Sequence, residues 1–122
     1  MAFLSDTALD ALLNIVKDNA EELTICSSAP VTYTEAHTTY KLGTKATPTV
    51  TGPADHTSGR KITVSAITDG TVSGTGTAGY WAISDVTGTA LLAAGSLASS
   101  QGVTSGNTFT LTEFIISVAD PT

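Results

Sequence analysis

Apolar residues recur at Leu9, Leu12, Leu13, Val16 and Ala20, the i, i+3, i+4, i+7 spacing that lines one side of an α-helix. Asp10, Asn14, Lys17, Asp18 and Glu21 take the other side. The spacing predicts one amphipathic helix over residues 5–20, within an N-terminal segment 1–22. Ser5 or Asp6 is placed to cap it by accepting from the free N–H groups of the first turn, and Asp6 also complements the helix dipole. Leu4 is placed to staple the start.

From Leu23 the period shortens and β-branched residues alternate with turn signals. Leu23–Cys26 reads as a short strand ended by Ser27-Ser28-Ala29-Pro30. Residues 31–60 carry Gly43, Pro48, Gly52, Pro53 and Gly59 and read as a long irregular arm with one strand near 46–51. Lys61–Ala66 alternates strictly, and Asp69-Gly70 signals a turn. Strands follow at 71–77, 79–86 and 89–98, the last two joined through Thr87-Gly88. Ser105-Gly106-Asn107 then turns the chain into 108–118, where Phe109 and Leu111 share one phase and Phe114, Ile116 and Val118 the other. That slip at Thr112-Glu113 implies a bulge, or a strand that leaves one sheet for another.

The pattern amounts to a single mainly β domain over 1–122: helix in 1–22, short strand and arm in 23–60, and an antiparallel body in 61–122. Six to seven short strands at this spacing predict an antiparallel β-sandwich or open barrel. The expected core is Leu9, Leu12, Leu13, Val16, Ile62, Val64, Ile83, Phe109, Leu111, Phe114 and Ile116. The helix stripe has two possible uses, covering the β body or associating with copies of itself about a symmetry axis.

Composition adds a surface character. Only 13% of the 122 residues are charged, against about 25% in average soluble proteins, and Thr, Ala, Ser and Gly fill the gap. Such a surface has little side-chain entropy to lose on contact and suits packing against a partner, although Thr is also common on ordinary exposed strands. The net charge of -6 argues against a nucleic-acid binder. Six acidic residues oppose Lys17 alone in 1–35, whereas Lys41, Lys45, Arg60 and Lys61 oppose only Asp55 in 36–68. The single Cys26 excludes an intramolecular disulfide and reads as a buried, inert thiol. Neither a signal peptide nor an apolar run long enough for a membrane helix is evident, so synthesis in a cytoplasm is expected.

Catalytic parts are scarce. His37 and His56 both lie in the irregular segment without a second ligand at metal spacing, and one cysteine cannot complete a zinc site. Gly95-Ser96-Leu97-Ala98-Ser99 lacks the final glycine of a nucleophile elbow. Gly70, Gly74, Gly76 and Gly79 are not followed by Gly-Lys-Ser/Thr or by a helix, so they mark turns or close backbone approach. No enzyme activity, cofactor or metal is expected. Tyr80 and Trp81 adjoin in a strand and point to opposite faces, which makes one a core residue and the other a candidate interface anchor. Lys41, Lys45, Arg60, Lys61, Tyr80 and Trp81 are therefore the candidate partner-docking residues. Tyr33 and Tyr40 are placed to pin the arm.

The opening Met-Ala-Phe-Leu-Ser-Asp-Thr, the Leu-Thr-Ile-Cys-Ser-Ser-Ala-Pro with the following Tyr-Thr-Glu-Ala, the Tyr-Lys-Leu-Gly, and the Val-Thr-Ser-Gly-Asn-Thr-Phe-Thr-Leu near the end carry a resemblance. Across most of its length the chain resembles small structural proteins of tailed bacteriophages and prophages. Those relatives have no catalytic motif to transfer, so no functional residue is carried over. The resemblance implies a virion structural protein, in style a head decoration or cement protein bound to the major capsid protein or other virion proteins. A homo-oligomer, with trimers fitting the local threefold positions of a capsid lattice, goes with that expectation. Tail, neck or fibre-base components are rival placements, and a host-surface or carbohydrate-binding β module is the alternative of another class.

Overall fold

A computed structural model describes residues 5–119 of the chain. The helix α1 runs Asp6–Asp18, and its cap is the one the sequence suggests: the Ser5 side chain accepts from Ala8 N–H at 3.2 Å. Leu9 and Leu13 are buried, each worth about 2 kcal/mol by apolar area removed from water. Leu12, expected in the core, is instead 49% exposed and stands with Ile15 on the outer side. The helix rests on the body along a narrower stripe than the spacing suggested. Val16 is half-buried against the core, and Leu4 lies outside the described residues.

Nine strands follow rather than six or seven: β1 Glu22–Cys26, β2 Lys41–Ala46, β3 Val50–Asp55, β4 Arg60–Val64, β5 Ile67–Val72, β6 Gly76–Asp85, β7 Ala90–Val103, β8 Thr108–Leu111 and β9 Phe114–Val118. All pairings among them are antiparallel. Six strands curl into a half-barrel in the order β7-β6-β1-β2-β5-β8, and three form a second sheet, β3-β4-β9. The phase slip at Thr112-Glu113 is the point where the chain passes from the first sheet to the second.

The core lies between the two sheets. Leu23 and Ile25 of β1, Trp81 and Ile83 of β6, and Phe109 and Leu111 of β8 meet Val64 of β4, with Phe114 and Ile116 half-buried against them. Arg60, Ile62 and Val64 share one face of β4 by strand alternation. Val64 enters the core and Arg60 reaches Asp10 of α1 at 2.7 Å, so the helix and the half-barrel lie against the same side of the small sheet.

The stretch 31–60 is not an irregular arm. It holds one π-helical turn, Glu35–Thr39, and the strands β2 and β3. Two packing facts hid them. Gly43 in β2 lies where a Cβ would stand 2.9 Å from the Phe109 ring, so its glycine serves close approach rather than a turn. Pro53 sits in β3, an edge strand with no pairing on one side, where a missing N–H is tolerated. Asp69-Gly70 likewise falls within β5 instead of at a turn, because Gly70 makes room for the same ring.

Candidate functional site

Two places concentrate side chains of interest, one polar and one apolar. The polar one lies on the outer face of the half-barrel. All five residues of β1 are buried, because Leu23 and Ile25 face the core while Glu22, Thr24 and Cys26 face the segment 33–40 that folds over them. His37 Nδ1–H donates to Glu22 Oε2 at 2.7 Å, and the His37 ring stacks on Tyr33 with centroids 4.9 Å apart. Burial, with the carboxylates of Glu22, Glu21 and Asp85, pushes the Tyr33 phenol up. Cys26 Sγ lies 3.7 Å from Thr24 Oγ1. Burial raises the Cys26 thiol, Glu22 adds to that, and the Thr24 contact opposes it. A thiol held protonated in this way is a poor nucleophile.

Ser84 pairs with Glu22 across β6 and β1, and its fully buried Oγ has no hydrogen-bond partner among the described residues. Glu21, one residue before, accepts from Thr87 N–H at 2.8 Å and Thr87 Oγ1 at 3.0 Å, fastening the β6–β7 turn. The cluster fastens the 33–40 segment to the sheet. Among the described residues, no group of three or more His, Cys, Asp or Glu is arranged to hold a metal ion.

The apolar place is a groove of about 720 Å³ along the open seam of the half-barrel. Trp81 and Phe114 form its floor, with ring centroids 4.7 Å apart and planes tilted by 40°. A Cβ on Gly95 of β7 would come within 2.8 Å of the Trp81 indole, so this glycine lets the ring lie flat under the strand. One wall is the stretch 96–99 of β7 and the other is 110–113. Glu113 is the sole ionisable group among the lining residues.

The groove arises from a wide bulge. Ala78 and Tyr80 of β6 pair with Gln101 and Ser96 of β7, so Leu97–Ser100 swing away from β6 without cross-strand partners there. At the closed end of the groove, Gln101 Nε2–H donates to the Thr110 carbonyl at 3.1 Å, bridging the two edges of the sheet.

The six residues singled out for docking do not form one patch. Trp81 is the core member of the aromatic pair and Tyr80 is half-buried on the opposite face. Arg60 is held by Asp10 and Asp55, and the Asp10 carboxylate, followed by Asp55, keeps its guanidinium firmly charged. Lys45 pairs with Asp69 at 3.0 Å. Lys41 and Lys61, both half-buried, lie in different sheets and have no carboxylate within ion-pair distance among the described residues. The groove-forming Leu97 and Gln101 were not singled out by sequence, and Phe114 was expected only as a core residue. Their one visible signal was the phase slip at Thr112-Glu113, which turns Phe114 beneath the seam.

Among the described residues no helix is long and apolar enough to cross a membrane. Comparison with family models, with curated proteins and with solved structures found no match to this chain.

Proposed function

We propose that this chain is a non-catalytic structural subunit of a bacteriophage virion that binds the outside of the head and strengthens it. The observation that carries the non-catalytic, docking part is the seam groove: a cavity of about 720 Å³ with an aromatic floor and a single ionisable lining residue. Such a site binds by apolar burial and shape, with the Glu113 carboxylate as its one charge and no second ionisable group beside it to form an acid–base pair. The polar cluster supports the same reading, since its thiol is buried and its histidine is engaged by Glu22.

The phage assignment rests on the sequence resemblance. In this reading apolar contact supplies most of the affinity, and Lys41 and Lys61 orient the chain on an acidic capsid exterior. Leu12 and Ile15, both exposed on α1, supply the contact between copies in a trimer.

The deciding experiment is to locate the protein in an intact virion by imaging or labelling. Density on the head exterior is expected. Placement on the tail or neck removes the decoration assignment and keeps the structural one, whereas a virion without the protein removes both.

A further inference from the structure

We propose that the seam between β7 and β8 receives one extended polypeptide strand from a neighbouring protein, which pairs with the sheet edge and closes the half-barrel. The inference rests on the reading of the groove as a docking surface and names its occupant. Strands β7 and β8 are consecutive in the chain and joined by the short turn 104–107, which Val72 and Asn107 fasten to the end of β5. An ordinary hairpin of this kind pairs its two strands. Here they are the opposite edges of one sheet and do not pair with each other.

The span is set by Gln101, whose Nε2–H reaches the Thr110 carbonyl at 3.1 Å. An extended glutamine reaches about 5 Å from Cα to Nε2 and a carbonyl oxygen lies about 2.4 Å from its own Cα, so the backbones are at most about 10.5 Å apart there. Two inter-strand spacings are about 9.6 Å and three about 14 Å, so this limit admits one added strand and excludes two. Beyond this bridge Leu97–Ser100 have no partners on β6, and they run along the opening as a bare edge.

Charge and floor define the occupant. Alternate side chains of an inserted strand descend onto Trp81, Ile67 and Phe114, which calls for apolar residues at every second position. Glu113 is the only ionisable lining group and the chain as a whole is acidic, so the strand is neutral or basic, with a Lys or Arg above Glu113. Main-chain pairing then gives affinity and the floor gives selectivity, as in other strand-addition complexes.

The test titrates the full chain with a panel of capped hexapeptides that alternate Val, Leu or Ala with Thr and carry Lys at one end. Emission of Trp81, the sole tryptophan, and amide exchange at 97–100 and 108–111 are the readouts. Expected are a saturable shift in emission, slowed exchange along one edge, and about thirtyfold weaker binding when two pairing amides of the peptide are N-methylated. Equal binding of methylated and unmethylated peptides, saturation without slowed exchange, or no binding by any panel member at millimolar concentration each overturns the proposal. None of these results moves the protein's location in the virion, and loss of that location leaves the peptide result standing.

Discussion

Phe109 lies over Gly70 so closely that a Cβ on the glycine would stand 2.3 Å from the ring atoms Cε1 and Cζ. The two residues face each other across β5 and β8, and the ring also covers Gly43 of β2. Gly70→Ala is therefore expected to push the ring aside and lower stability by about 1–3 kcal/mol, the usual cost of overpacking. Gly79→Ala is the control, because nothing stands within 4 Å of a Cβ there. Its effect on the urea midpoint is expected to stay within about 0.5 kcal/mol. Equal losses in the two variants would contradict the packing argument.

Arg60 joins α1 to the small sheet through Asp10 and to β3 through Asp55. Arg60→Met is expected to lower stability and to loosen the helix, seen as faster amide exchange over residues 9–17. The loss should shrink in 1 M salt, where partly exposed ion pairs are screened. A cycle with Asp10→Asn is expected to be non-additive, since the two side chains share the contact.

The alkaline and acid limits of stability are assigned to different groups. Burial raises the Cys26 thiol, so above the usual thiol value of about 8.5 the unfolded chain loses its proton first. Stability is complete below that pH and falls as pH rises towards the folded value. Tyr33 and Tyr40, both raised, continue the fall at higher pH. Cys26→Ala is expected to flatten the first part of the curve in urea titrations between pH 7 and 10. At the other end, the Gly88 N–H, donating to Asp85 Oδ1 at 2.9 Å, holds the Asp85 carboxyl below its usual range. That contribution is present above about pH 4 and is lost on acidification, and Asp85→Asn should remove this part of the acid slope.

His37→Ala leaves the Glu22 carboxylate, whose side chain is 9% exposed, without its partner. A loss of about 1–3 kcal/mol is expected from the orphaned buried acceptor. The same substitution in a Glu22→Gln background should cost less, and limited proteolysis within 31–40 should report the loosened segment. If the two losses match, the hydrogen bond is not what holds the segment down.

Much of this fold is legible in the sequence where the signal is local. Ser5 and the Leu9/Leu13 spacing mark the helix, Ile62 and Val64 mark a half-buried strand, and the slip at Thr112-Glu113 marks the change of sheet. What cannot be read locally depends on partners far along the chain. Gly43 and Gly70 read as turn residues until Phe109 is placed over them. Leu12 carries the right spacing, but only the packed helix shows which way its stripe is turned. Arg60 reads as a free cation because its principal partner, Asp10, lies 50 positions away. Trp81 is recognisable as one of a divergent pair. The groove above it is not, since it is made by a bulge in β7 and a strand switch after β8.

The place of β1 in the middle of the half-barrel has a consequence for the growing polypeptide. One neighbour, β2, is the next strand to leave the ribosome, but the other, β6, begins only at Gly76. At about 5–20 residues per second, Leu23–Cys26 waits about 3–10 seconds with one side bare. For that interval the future centre of the sheet is an unpaired apolar edge, the kind of surface that sticks to other nascent chains. Overproduction of this protein should therefore be limited by translation speed and crowding of unfinished chains rather than by the stability of the finished one.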